Sequence, residues 1–263
     1  MKDFNQAYVS SVLSQYFKKD FLKRWDLKEY TSSLEPAVFL GLYTPEDIAC
    51  FKNHKSYKIL YFGGGDCISS HLELVKNTPN VVCIGYGGDW LYKKLDEYNI
   101  PYTPTRILLK DYSEFNPSPL GENIYVYKGI HGNRPDYFKW NEIVEPLQYV
   151  FGKDRIIFTE FTPINDLIKN YYEDCFIYVK PNEKGGSTAM VELGYMGRKT
   201  ITLGHSNFSN CLEYQSLDDI INLIVKESNK IGTTQPQVAE KLNSMFDHEG
   251  KWLNINHYNN WNV

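Results

Sequence analysis

The sequence predicts an α/β protein made of two halves, each built on a parallel sheet. Three observations carry that reading. Short apolar runs rich in Val, Ile, Phe and Tyr alternate with segments of helical periodicity along the chain. Several of those runs stop on glycine, as at Gly63-Gly64-Gly65, between Gly85 and Gly88, and at Gly185-Gly186. A stretch from Tyr112 to Glu122, carrying Pro117, Pro119 and Gly121, interrupts the rhythm and reads as a linker. Alternation of strand and helix implies parallel sheets, with ligands at the carboxyl ends of the strands.

In chain order, Val9, Val12, Leu13, Tyr16, Phe17, Phe21 and Leu22 fall at helical spacing and predict an amphipathic helix over about residues 4–25. The run from Ala37 to Leu42 is strand-like, and Thr44-Pro45 opens a helix, with Thr44 as cap and Pro45 in the first turn. A strand from Tyr57 to Phe62 runs into Gly63-Gly64-Gly65-Asp66. Val81 to Ile84 is a third strand, and a helix follows to about Tyr98. In the second half, Asn123 to Tyr127 precedes the turn Gly129 to Arg134 and a helix from about Pro135 to Val150. Arg155 to Phe158 precedes a helix near Asn165 to Tyr171. A strand then starts at Cys175, Gly185-Gly186 turns, a helix opens on Ser187-Thr188 and closes on Gly197, and a strand runs from Lys199 to Leu203. Leu217 to Ser228 is a further helix. The expected division is 1–120, 121–235 and a tail, 236–263, whose Trp252 and Trp261 pack back on the first half.

The bulk composition narrows the function classes. At 263 residues, 42% hydrophobic and 23% charged, the chain is globular. A net charge of −4 gives no global attraction to nucleic acid, although Lys18, Lys19, Lys23 and Arg24 form a local basic strip. Five widely spaced cysteines suit reduced thiols in a cytoplasmic protein. No apolar stretch approaches the roughly 20 residues of a membrane span. No CxxC, HExxH or Asp-x-Asp offers a metal site, so none is expected.

The segment from Gly185 to Glu192 is the richest in chemistry. A helix that begins on a glycine turn leaves its first N–H groups free and aims its positive dipole end at the loop, a place that binds phosphate. Glu192 lies one turn further in, within reach of a ribose attached to that phosphate. The same pattern is also an ordinary helix cap, but Glu192 sits among Ala189, Met190, Val191 and Leu193, and a carboxylate there needs a partner. Asp66, after Gly64 and Gly65 at a strand end, is a candidate general base, or else a cap for the next helix. His131 and Asp89 are candidates of the same kind. Arg134, with Lys128, would clamp phosphate.

These motifs resemble a known class. Cys175-Phe176-Ile177, Pro181 and the run from Gly185 to Arg198 are similar to the donor-binding segment of small viral and bacterial nucleotide-sugar glycosyltransferases of the GT-B class. Glu35 to Tyr43, Glu46-Asp47-Ile48 and His54 to Asp66 are similar to their acceptor half. The resemblance implies two Rossmann-like halves facing a cleft, and a nucleotide-sugar (UDP or GDP) as substrate, with no cofactor and no metal. It implies a donor site of Gly64, Gly65, Lys128, Arg134, Gly185, Gly186, Ser187, Thr188 and Glu192, with Asp66 and His131 catalytic. Acceptors in the class include glycans, lipids and hydroxymethylated bases of phage DNA, and a viral source would place the protein in the host cytoplasm. Two other functions fit the alternation: a Rossmann-type nucleotide-dependent oxidoreductase, though no G-x-G-x-x-G with its acidic partner is present, and a non-catalytic sugar-nucleotide-binding protein.

Overall fold

The computed structural model describes residues 2–85, 89–127, 139–159, 164–182, 188–204 and 207–258. The chain divides into two compact units, Met1–Asp111 with Phe246–Val263, and Tyr112–Met245.

The first unit carries five parallel strands: β1 (Gln6–Val9), β2 (Lys28–Glu29), β3 (Ala37–Leu40), β4 (Lys58–Tyr61) and β5 (Val81–Ile84). They lie in the order β2-β1-β3-β4-β5. β3, β4 and β5 are buried along their whole length, as strands covered on both faces must be. Phe39, Leu60, Val81 and Cys83 meet Phe51, Leu72, Val75, Leu91 and Leu95 from the helices Pro45–Asn53, Ser69–Lys76 and Asp89–Glu97. Thr44 caps the first of these helices in a reciprocal capping box with Asp47, and Pro45 occupies its first turn.

The helix expected over 4–25 starts later. Residues 6–9 are strand β1 and pair with β2 and β3. Ser10 then caps the turn by accepting the Val12 N–H, and helical structure runs from Ser11 to Trp25 through a π turn at Ser14–Lys18. Val9 fits a 3.6-residue period with Val12, Leu13 and Tyr16, so the pattern extends the helix over a strand too short to announce itself. The carboxyl-terminal segment belongs to this unit: Trp252 is fully buried, with Trp25 edge-on at 5.3 Å and Phe21 at 6.2 Å between ring centroids.

The second unit has five parallel strands: β6 (Asn123–Tyr127), β7 (Ile156–Thr159), β8 (Cys175–Lys180), β9 (Lys199–Thr202) and β10 (Cys211–Glu213). Their order is β10-β9-β8-β6-β7. Its core joins Ile124, Val126, Ile177, Val179 and Ile201 to Val144, Leu147, Ile220 and Ile224 of the flanking helices. The 112–122 stretch is packed here, with Tyr112, Phe115 and Leu120 buried. Arg198 is fully buried and ties that stretch down: its guanidinium donates to the carbonyls of Ser118, Pro119, Cys175 and Glu173, and also to the Ser118 hydroxyl and the Met196 carbonyl.

Both sheets share one topological feature. Strand order reverses between β1 and β3 in the first unit, and between β6 and β8 in the second. In parallel α/β sheets, ligands bind outside the carboxyl ends of the strands at this reversal.

Candidate functional site

In the second unit the two strands at the reversal, β6 and β8, lead directly into the two segments that the sequence marks as candidates for phosphate. Lys128, His131 and Arg134 follow β6; Gly185, Gly186 and Ser187 follow β8. These six residues lie outside the described residues. Beyond them the helix Thr188–Tyr195 packs Met190, Val191, Glu192, Leu193 and Gly194 inward, because its sequence is apolar on nearly every face. Thr188, at its start, is partly buried.

Glu192 has the partner its surroundings demand. It is 4% exposed, and the Tyr172 hydroxyl donates to its Oε2 at 2.7 Å. Tyr172 stacks edge-on against Tyr125 at 5.2 Å between centroids, and Tyr178 lies at the same distance from Tyr125. Tyr125 and Thr159 share a hydrogen bond of 2.7 Å at the end of β7. Burial first, and then the Glu192 charge, push the Tyr172 phenol well above its ordinary pKa, so it remains a hydrogen-bond donor. Glu192 therefore rests on a chain of tyrosines from β6, β8 and the turn before β8. Lys180, the last residue of β8, is also buried, and its Nζ donates to the carbonyl and side-chain oxygen of Asn182 at 2.7 and 3.0 Å. Sequence reasoning singled out neither Tyr172 nor Lys180. A charge ending an otherwise apolar strand was the available signal for Lys180; Tyr172 had none.

In the first unit the glycine turn and Asp66 follow β4. Asp66 is 1% exposed and does not cap the next helix, whose N-cap is Ile68 without a side-chain bond. Its Oδ2 accepts the Leu42 N–H at 3.0 Å and its Oδ1 accepts the Gly64 N–H at 2.9 Å. Burial pushes its carboxyl above the usual range, against the lowering effect of these backbone donors. Burial, and then the Asp66 charge, raise the pKa of the Tyr43 hydroxyl. The Tyr43 ring occupies space that glycines clear. A side-chain carbon at Gly41 would come within 2.6 Å of the ring, and one at Gly63 would collide with the hydroxyl, while Gly65 leaves ordinary contact at 3.6 Å. Gly65 is exposed and Gly64 partly so. Beside this turn, Asp47 gathers the Tyr8 and Ser10 hydroxyls at 3.0 and 2.7 Å and the N–H groups of Tyr43 and Thr44. The carboxyl ends of β1, β3 and β4 are thus joined by two buried aspartates.

No family model matches the sequence, and no curated protein matches it. Among solved structures, the chain is similar to the Anabaena protein Alr3699/HepE in complex with UDP, with a TM-score of 0.55 and 10% identity over 93% of this chain and 96% of that one. The same Anabaena protein in complex with UDP and glucose gives a TM-score of 0.52 and 11% identity, over 81% of this chain and 74% of that one. The likeness is one of fold: two α/β units, each on a parallel sheet. Two parallel-sheet α/β units, expected from the alternation and the glycine turns, are what the chain builds, with five strands in each sheet. Among the described residues, no helix is long and apolar enough to cross a membrane, and no three His, Cys, Asp or Glu side chains group as metal ligands.

Proposed function

We propose that the chain is a glycosyltransferase that moves a sugar from a UDP-sugar to an acceptor hydroxyl. The observation that carries this reading is the reversal between β6 and β8. A fold shared along 93% of the chain with a UDP-bound protein has, after β8, the helix Thr188–Tyr195 with the buried carboxylate of Glu192 one turn in, and the sequence ahead of that helix carries Gly185-Gly186. The second unit is then the donor side. Gly185, Gly186, Ser187 and Thr188 would offer N–H groups and a helix dipole to the diphosphate, with Lys128 and Arg134 as cations for the charge that develops as it departs. Glu192 would accept from the ribose, and the UDP complexes of the Anabaena protein favour UDP over GDP. Gly64 and Gly65, at the end of β4, would leave room for the transferred sugar, and the first unit would receive the acceptor: a glycan, a lipid or a hydroxymethylated DNA base. Asp66 is the proposed base, with His131 as the second candidate. Five free thiols support a cytoplasmic setting.

The test is Glu192→Gln. The amide can still accept from Tyr172, so the fold is expected to survive. Losing a charge-assisted ribose bond should weaken UDP by about 1.5–3 kcal/mol, or roughly 10–150-fold in Kd by calorimetry. An unchanged Kd would remove the ribose role.

A further inference from the structure

We propose that Tyr172 is a positioning residue of the nucleotide site: its hydroxyl fixes the plane of the Glu192 carboxylate, and that plane lets the site tell a ribose from the same sugar without its hydroxyls. The proposal rests on the sugar-transfer reading and on the role which that reading gives Glu192. A glutamate on a helix has its carboxylate aimed but not oriented. Helical side chains lean toward the start of their helix, so Glu192 leans toward Thr188. The last torsion of a glutamate is broad, and by itself it does not set where the two oxygens point. A donor held on one oxygen fixes the direction of the other.

Tyr172 is such a donor. Its hydroxyl donates to Glu192 Oε2 at 2.7 Å, the length of a charge-assisted O–H···O bond, and the two residues are 1% and 4% exposed. The ring that carries the hydroxyl is itself held. It stands edge-on to Tyr125, and Tyr125 packs against Tyr178 and shares a hydrogen bond with Thr159. The backbone is tied as well: the Glu173 N–H donates to the Ile168 carbonyl at 3.0 Å, and the Cys175 thiol donates to the Tyr172 carbonyl at 3.4 Å. Tyr172 precedes β8 and Glu192 follows it, so one bond joins the segment before the strand to the helix after it.

The chemistry of the donor suits the task. Burial and the Glu192 charge keep the phenol protonated, so it orients the carboxylate without cancelling its charge. A lysine or arginine in its place would pair that charge away. A carboxylate has about four acceptor positions, and the phenol uses one of them. Ribose hydroxyls would then meet an oriented and fully charged acceptor.

The test is calorimetry of the full chain with UDP and with 2′,3′-dideoxy-UDP, which lacks both ribose hydroxyls. The parent should bind UDP about 10-fold more tightly, or better. Tyr172→Phe should bring that ratio to within about threefold, chiefly by weakening UDP. Lost stability does not imitate this result, because an unfolded fraction raises both Kd values by the same factor and cancels from the ratio. Para-aminophenylalanine at position 172 keeps the ring and returns a donor, so it should restore the preference for UDP. An unchanged ratio in Tyr172→Phe would overturn the positioning role, and so would a ratio that the para-amino group does not restore. A Tyr172→Phe chain that does not fold would overturn it too, making the hydroxyl a brace of the structure. A parent that binds both nucleotides equally would fail differently, removing the ribose role of Glu192 itself.

Discussion

Asp66 accepts N–H groups from two loops that are 22 residues apart in sequence, Leu42 after β3 and Gly64 after β4, and it does so with almost no exposure to solvent. That geometry yields a stability prediction distinct from any effect on rate. Asparagine keeps the shape but has one acceptor oxygen, so one of the two N–H groups would face an NH₂. Asp66→Asn should cost about 1–3 kcal/mol and lower the melting temperature by several degrees. A variant that melts with the parent would show that the carboxylate is not what holds the two loops together. At this scale the sequence exposes chemistry but not partners. The glycines before Asp66 mark a strand end, and Glu192 amid apolar neighbours demands a hydrogen bond. Leu42 answers Asp66 from 24 residues away and Tyr172 answers Glu192 from 20, distances that no periodicity reports.

The strands and helices were legible wherever apolar runs were long enough to show a period. β5 and β6 fall where the pattern places them, and so does the helix Leu217–Ser228, which opens on the Ser216–Asp219 capping box. The rest escaped for physical reasons. β2 is two exposed charged residues, and β10 is three residues that, among the described residues, pair with β9 alone. The helix Pro236–Asn243 starts after Gln235, which makes no side-chain cap. The π turns at Ser14–Lys18, Trp140–Val144 and Ile168–Tyr172 carry no distinguishing composition. Arg198 belongs to this scale, because it joins the end of the Thr188–Tyr195 helix to the start of β8 and to the 118–119 segment. Burial lowers its pKa, and backbone carbonyls supply most of its acceptors. Arg198→Met should remove that brace and cost roughly 2–4 kcal/mol, read as a drop of several degrees in the melting transition. A shift of less than about one degree would mean that the segments hold without it.

For the whole molecule, two parallel sheets, each with its order reversed at an inner pair of strands, place candidate chemistry at two reversals. Under the proposed function, the second unit, with Glu192 buried on the helix Thr188–Tyr195, would take the nucleotide diphosphate. The first would supply the buried Asp66, proposed as the base, after the glycines that end β4. The most direct check is a melting curve of the full chain with UDP, run beside NAD⁺. UDP at about 100 times its Kd should add roughly 2.7 kcal/mol to the stability of the state that binds it, a shift of several degrees, while NAD⁺ leaves the curve in place. A curve that UDP does not move at any concentration, or that only NAD⁺ raises, would contradict the account.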